Sequence, residues 1–109
     1  MKIEKIDIDD KQYDIIIGQN QLENDNIIKN ANQNDIWFHL DKTSGPHIIL
    51  KSNGDIISKR YLNYIGTLFT TYKNKLPNHY TVIYTDIKNV KLTSEPGRVI
   101  VSKTKKIQY

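Results

Sequence analysis

The chain contains no cysteine, which excludes both a disulfide framework and a thiolate metal site. It has no apolar run near the roughly 20 residues of a membrane span, and its first residues lack the basic-then-apolar pattern of a signal peptide. Hydrolase signatures such as G-x-S-x-G and H-E-x-x-H are also missing. These absences predict a cytoplasmic protein without a membrane span that is not an enzyme and uses no cofactor or metal.

The formal net charge of +4 is unevenly distributed along the 109 residues. Residues 1–50 carry five Lys against nine Asp and Glu, a net −4, whereas residues 51–109 carry eleven Lys and Arg against three Asp and Glu, a net +8. Lys and Arg supply the sequence-independent part of nucleic-acid affinity through phosphate contacts. The basic half therefore indicates a polyanionic partner, although an ordinary solvated surface explains the same composition. The basic residues expected to contact nucleic acid are Lys59, Arg60, Lys91, Arg98, Lys103, Lys105 and Lys106.

Without a linker, repeat or low-complexity tract, residues 1–109 are expected to form a single domain. Residues 20–31 are expected to form a short helical turn or an ordered loop. Alternation of apolar and polar residues predicts an initial hairpin followed by further strands. The predicted strands span residues 2–8, 13–17, 35–40, 47–51, 79–85, 98–102 and 105–109.

A long helix is predicted over residues 56–76, with Asp55 as its N-cap. Its apolar residues recur at steps of three or four and form one stripe that can pack on a sheet. Gly66 lies in the middle and costs about 1 kcal/mol relative to Ala, which a close approach of helix and sheet would explain. The predicted class is α+β, a mainly antiparallel β-sheet with one long helix packed on a face.

Residues 35–50 contain the only Trp and two of the three His. On an alternating strand, Asp35, Trp37 and His39 share one face, opposite the residues expected in the core. If this strand forms a hairpin with the next, His39 lies near His47. Paired imidazoles can bind a metal, exchange protons or hydrogen-bond a phosphate, but a zinc site needs three or four protein ligands. Structural roles or ligand contact are therefore favoured.

Two more features of this segment could contact nucleic acid. Trp37 either stacks on an unpaired base or packs beneath the long helix. The turn Lys42-Thr43-Ser44-Gly45 offers a cation, hydroxyl groups and backbone N–H groups that could hold a phosphate. It lacks the spacing of a nucleotide-hydrolysing loop. The candidate contacts of this segment are Trp37, His39, Lys42, Ser44 and His47.

Motifs spread along the chain resemble the R domain of the NFACT family. They occur in the family's order: Gly18, then Glu23-Asn24-Asp25, the D-x-W-F-H strand at Asp35 to His39, Gly45 and His47, a strand at Val82 to Thr85, and a turn at Pro96-Gly97. The resemblance is greatest to stand-alone members with an added coiled coil. The chain is expected to lack that coiled coil and the larger N-terminal region of the full-length proteins.

The resemblance implies a stand-alone nucleic-acid-binding module without a catalytic centre, with RNA (tRNA or rRNA) expected over DNA. It also implies ribosome-associated quality control as the setting and the ribosomal large subunit as a candidate partner. The expected mechanism is electrostatic docking by the C-terminal lysines, with His39, His47 and Lys42 at a more selective contact. Two alternatives stay open: a module that docks on a protein through a sheet edge or the Trp37 face, and a small His-dependent nuclease.

Overall fold

The computed structural model describes all of residues 1–109 and contains eight strands and three α-helices. In chain order these are β1 (Lys2–Ile8), β2 (Lys11–Gly18), α1 (Gln21–Lys29), β3 (Ile36–Leu40), β4 (His47–Leu50), α2 (Lys59–Thr67), α3 (Phe69–Tyr72), β5 (Thr81–Asp86), β6 (Val90–Leu92), β7 (Val99–Val101) and β8 (Lys105–Gln108). None of the helices is long and apolar enough to cross a membrane.

Six of the strands form one antiparallel sheet in the order β1-β2-β4-β3-β5-β8. The strands β6 and β7 pair only with each other and form a separate antiparallel hairpin. The predicted α+β class is therefore confirmed. The sequence did not predict β6, and β7, expected over 98–102, belongs to the hairpin and not to the large sheet.

The large sheet has a different cover on each side because successive side chains of a strand point to opposite faces. We call the side covered by α2 and α3 the helix face. Its core contains 15 buried residues, among them Phe38 and Phe69. We call the side covered by α1 and the β6–β7 hairpin the hairpin face. Its core contains only six buried residues, among them Trp37 and Ile49. The helix face is therefore the main core of the protein.

The long helix differs from its prediction at both ends. Ser58 occupies the N-cap position, and the carboxylate of Asp55 accepts hydrogen bonds from Lys11 Nζ at 2.7 Å and Tyr13 Oη at 2.6 Å. The expectation that Asp55 caps the helix is wrong, because its side chain links the loop before α2 to strand β2. Leu68 separates α2 from α3, and the backbone is extended again at Lys73. The predicted apolar stripe is nonetheless buried at Ile57, Ile65, Leu68 and Phe69.

A close approach exists at Gly66, but its partner is Tyr109, which follows the last strand, and not a residue within the sheet. A Cβ atom on Gly66 would overlap the hydroxyl group of Tyr109. That hydroxyl donates a hydrogen bond to the carbonyl of Asn63 at 2.7 Å, and the Tyr109 ring stacks on Tyr80 with ring centroids 4.7 Å apart. Gly66 therefore makes room for the residue that fastens the end of the chain to α2.

The segment 20–31, for which a helical turn or a loop was expected, contains the helix α1. Asn20 caps it, since its side chain accepts a hydrogen bond from the Glu23 N–H at 2.9 Å. Ile27 and Ile28 on this helix are buried against the hairpin face. This packing gives a polar, nine-residue segment the stability that its own propensity does not supply.

Candidate nucleic-acid interface

A groove of about 470 Å³ lies on the hairpin face, between the β3–β4 loop and the start of β7. Pairing of β3 with β4 places the β3–β4 loop over this end of the sheet. Half of the residues predicted to contact nucleic acid line this one groove: Trp37, His39, Lys42, Ser44, His47 and Arg98.

The two imidazoles lie side by side in the groove, as a β3–β4 hairpin requires. The rings of His39 and His47 have centroids 4.6 Å apart and meet edge to face. Trp37, two residues before His39 on the same face of β3, stacks on the His39 ring at 5.6 Å. The three rings form one contiguous aromatic cluster, and no group of three or more His, Asp or Glu side chains is arranged to hold a metal ion.

His47 is held by hydrogen bonds on two sides. The indole Nε1–H of Trp37 donates to His47 Nδ1 at 3.1 Å, and the His47 backbone N–H donates to Asn24 Oδ1 at 3.1 Å. Burial, assisted by the neighbouring His39, lowers the pKa of His47 to about 3. Burial also lowers the pKa of His39, against hydrogen bonding with the main chain at Leu40 and Gly45. Both imidazoles are therefore neutral at physiological pH.

Trp37 fits neither alternative drawn from the sequence. Only 1% of its surface is exposed, so its ring is not free to stack on a base. It also does not lie beneath the long helix, because alternation along β3 directs it to the hairpin face. There it packs with Ile27 and Ile28 of α1. The edge of the indole reaches the groove, and its N–H orients His47.

Residues of the family motifs connect the elements around the groove: α1, strand β4 and the β6–β7 hairpin. Gly18 pairs with His47 across β2 and β4, and a Cβ on Gly18 would overlap the side chain of Asn24. This glycine thereby lets α1 approach closely enough for Asn24 to reach the His47 backbone. On the same helix, Asp25 Oδ1 accepts a hydrogen bond from the Gly97 N–H at 3.0 Å. That bond anchors the β6–β7 hairpin beside the groove.

Cations stand at the rim of the groove, and no carboxylate lines it. Lys42 and Ser44 are exposed on the β3–β4 loop. Arg98 is exposed at the start of β7, where Nη1 lies 3.1 Å from Glu95 Oε2. An ion pair this exposed contributes little to stability, so the guanidinium can exchange its partner for a phosphate at small cost.

The carboxylate of Asp35 is not part of the groove, contrary to what its place on the strand suggested. The side chain is fully buried. It accepts hydrogen bonds from the N–H groups of Asn32 and Asn53, both at 2.9 Å, and lies 2.5 Å from Lys51 Nζ. Asp35 therefore joins two loops and does not line the groove of the histidine pair.

The other six predicted contacts lie elsewhere. Lys103 and Lys105 line a second groove of about 420 Å³ together with Lys88. Lys106 Nζ lies 3.2 Å from Asp41 Oδ2. Lys91, which pairs with Ile100 in the hairpin, is exposed on its outer side. Lys59 and Arg60 are exposed at the start of α2, on the helix face.

The apolar wall of the groove was not predicted from the sequence. Val99 and Val101 of β7, with Ile83 of β5, line it. The signal was present, because Val90-Lys91-Leu92 and Val99-Ile100-Val101 both alternate around a Pro-Gly turn and could have been read as a hairpin. What the sequence did not show is that this hairpin leaves the large sheet and stands against one of its faces.

The fold and the groove define an α+β binding domain, and comparison with known families shows to which family of such domains the chain belongs. The model of the family described as "NFACT protein RNA binding domain" matches residues 5–103. The chain belongs to this family, and the resemblance read from the motifs is confirmed.

Curated relatives and one solved structure agree with this assignment. The chain is 30% identical over 94 residues to coiled-coil domain-containing protein 25 from Bos taurus, covering 81% of this chain and 45% of that protein. The Mus musculus protein of the same name is 31% identical over 94 residues, with the same coverage. This chain thus spans less than half the length of these relatives. The structure of the C-terminal of the fibronectin/fibrinogen-binding protein from Streptococcus suis superposes with a TM-score of 0.78 and 22% identity. The superposition covers 99% of this chain and 45% of the Streptococcus suis chain, and it shows only that the two share a fold.

Proposed function

We infer that this chain binds RNA through the groove on the hairpin face. The observation that carries this proposal is the convergence of Lys42, Ser44 and Arg98 on the rim of a groove that no carboxylate lines. Cations and hydroxyl groups at such a rim are the groups that hold phosphates. Membership of a family of RNA-binding domains favours RNA as the polyanion.

The mechanism we propose combines phosphate contacts at the rim with a more selective contact at the histidine pair. The rim cations attract the backbone and release counterions, so affinity falls as salt rises. Lys103 and Lys105, in the second groove, add long-range attraction but do not touch the histidines. The neutral imidazoles below the rim contribute hydrogen bonds that do not depend on salt.

We further propose that the setting is ribosome-associated quality control in the cytoplasm, with tRNA or ribosomal RNA of the large subunit as the target. Family membership supports this setting, and the groove is consistent with any RNA that exposes backbone and bases. We also propose that the domain acts by binding and not by catalysis, because Asp35 is engaged elsewhere and no further His, Asp or Glu lines the groove beside His39 and His47.

The test is binding of a labelled tRNA and an unstructured RNA of similar length at two salt concentrations. Arg98→Ala and Lys42→Ala are each compared with a variant that removes the same side chain from the helix face, Arg60→Ala and Lys59→Ala. We expect each groove variant to weaken binding by about three- to tenfold at low salt and to reduce the salt slope by about one. The helix-face variants should stay within about twofold of the wild type. Equal losses in both pairs, or an affinity that does not change with salt, would contradict the proposal.

A protein-docking role has one observation in its favour. A second cavity on the hairpin face, of about 570 Å³, lies beside α1 and is lined by Ile16, Ile27 and Ile49 together with the exposed Met1. An apolar surface of this kind suits a partner side chain. If docking on a protein is the function, the same binding assay will show weak RNA affinity that is insensitive both to salt and to Arg98→Ala.

A further inference from the structure

We propose that the floor of the groove receives an unpaired nucleobase and that His47 donates a hydrogen bond from Nε2 to an acceptor atom on the edge of that base. The inference rests on the proposed RNA-binding function and names what the groove selects. It assigns the rim to the phosphates and the floor to the base.

The hydrogen bond from Trp37 determines which nitrogen of His47 carries the proton. An indole N–H is a donor only, so His47 Nδ1, at 3.1 Å, must be the acceptor. A neutral imidazole with an accepting Nδ1 carries its hydrogen on Nε2. Because Trp37 is buried, water does not compete for this bond. His47 is thereby held in a single tautomer that presents one N–H donor.

That donor is available to a ligand. The hydrogen bonds of His47 within the protein involve Nδ1 and the backbone N–H. Only 2% of His47 is exposed. No buried side-chain nitrogen or oxygen atom in the protein lacks a partner, so this small exposed part of the side chain includes Nε2, which has no partner. His47 lines the groove, and the groove is therefore where Nε2 meets a ligand.

The chemistry of the floor favours a base over a phosphate. The floor and wall are formed by neutral imidazoles and by apolar side chains, among them Ile83, Val99 and Val101, while the cations Lys42 and Arg98 stand at the rim. A phosphate moved into the floor would lose hydration without gaining an opposite charge. An unpaired base has apolar faces and an edge with hydrogen-bond acceptors, which proteins read in single-stranded RNA. The volume of about 470 Å³ lies within the range of small-ligand sites.

Two RNA probes of equal charge separate base from backbone. One is a short oligouridine, and the other is an oligomer of the same length in which every nucleotide is abasic. We expect the wild-type protein to bind the oligouridine at least about fivefold more tightly at the same low salt, since one bound base contributes about 1–3 kcal/mol. Comparison of oligouridine with oligoadenosine then shows whether the acceptor is a carbonyl oxygen or a ring nitrogen.

Two substitutions of His47 separate its donor from its structural role. In His47→Asn, the amide oxygen stands near the place of Nδ1 and can still accept from Trp37, but the Nε2–H donor is gone. In His47→Gln, the amide nitrogen stands near the place of Nε2 and keeps a donor. We expect His47→Asn to weaken oligouridine binding about three- to tenfold and to leave abasic binding unchanged. His47→Gln should recover at least half of the loss. Thermal unfolding of both variants checks that they are folded.

A direct readout that does not need a variant is the ¹⁵N spectrum of the imidazoles. The free protein should show His47 as the neutral Nε2–H tautomer, and oligouridine should shift the Nε2 resonance more than the abasic oligomer does. Equal affinity for the two probes, or an equal effect of His47→Asn on both, overturns this inference. In that case, selective loss of affinity in Arg98→Ala still upholds the proposed RNA-binding function. Absence of binding to either probe at low salt overturns both.

Discussion

The two faces of the six-stranded sheet differ in the elements that cover them and in the number of residues buried beneath. The helix face is closed by α2 and α3 over 15 buried residues. The hairpin face is closed by a nine-residue helix and a small hairpin over six buried residues. The first cover leaves no gap at Gly66, whereas the second leaves the groove that contains the histidine pair.

Because of this difference, the helix face contributes most to stability, and the hairpin face is the one suited to binding. A face with many buried apolar contacts carries most of the free energy of folding, because that free energy follows the apolar area removed from water. A face covered by short elements can keep polar groups near its surface and present them to a ligand. Substitutions on the helix face should therefore change stability most, and substitutions on the hairpin face should change binding and pH dependence.

The largest effect is expected for Phe69→Ala on the helix face. Phe69 is fully buried in α3, and removal of such a ring leaves a cavity that typically costs about 3–5 kcal/mol. Urea unfolding measures the loss. Val101→Ala, a truncation on the half-buried hairpin, should cost about 1 kcal/mol. Similar losses in the two variants would contradict the assignment of the main core to the helix face.

The next effect is a dependence of stability on pH that originates on the hairpin face. The pKa of His47 falls from its usual 6.5 to about 3 in the folded protein. Below pH 6.5 the unfolded chain therefore binds a proton that the folded chain does not, and stability must fall as pH falls through this window. The expected loss from this residue between pH 7 and pH 5 is about 2 kcal/mol. Unfolding measured at several pH values should show a shallower slope in His47→Asn, and an unchanged slope would exclude His47 as the cause.

A smaller effect is expected for Gly66→Ala on the helix face. Alanine gains helix propensity by about 1 kcal/mol, but its Cβ overlaps the Tyr109 hydroxyl. Such overpacking typically costs about 1–3 kcal/mol, so we expect a net loss of about 1 kcal/mol in urea unfolding. In a Tyr109→Ala background the overlap is absent, and the same substitution should stabilise the protein. If it destabilises both backgrounds equally, the close approach is not the reason for this glycine.

The smallest effect is expected for Lys91→Ala on the outer side of the hairpin. Lys91 is exposed and points away from the groove, so stability should change by no more than about 0.5 kcal/mol. RNA affinity should stay within about twofold of the wild type. A loss as large as that of Arg98→Ala, which removes a cation from the rim of the groove, would show that RNA also covers the outer side of the hairpin.

The fold class could be predicted because its signals are local. Alternation placed the strand β1 at its observed residues, and a stripe at helical spacing identified the residues of α2 and α3 that are buried. The start of the helix could not be predicted, because Asp and Ser are both common N-cap residues. Asp55 does not cap the helix because its carboxylate accepts hydrogen bonds from Lys11 and Tyr13 instead. The candidate site was predicted in part: five of its residues lie within one hairpin, and Arg98 reaches it from a distant turn.

The sequence by itself determined the family, the α+β class and the charge asymmetry, because each depends on residue identity or on local pattern. It indicated the proximity of His39 to His47 only on the condition that β3 and β4 form a hairpin, which the structure supplies. Only the tertiary structure decided that Trp37 is buried, that Asp35 joins two loops, and that the basic residues fall into separate groups. It also decided that a buried indole holds His47 in one neutral tautomer. These outcomes depend on which elements cover each face of the sheet, and contacts between residues distant in the chain are set by packing and not by local pattern.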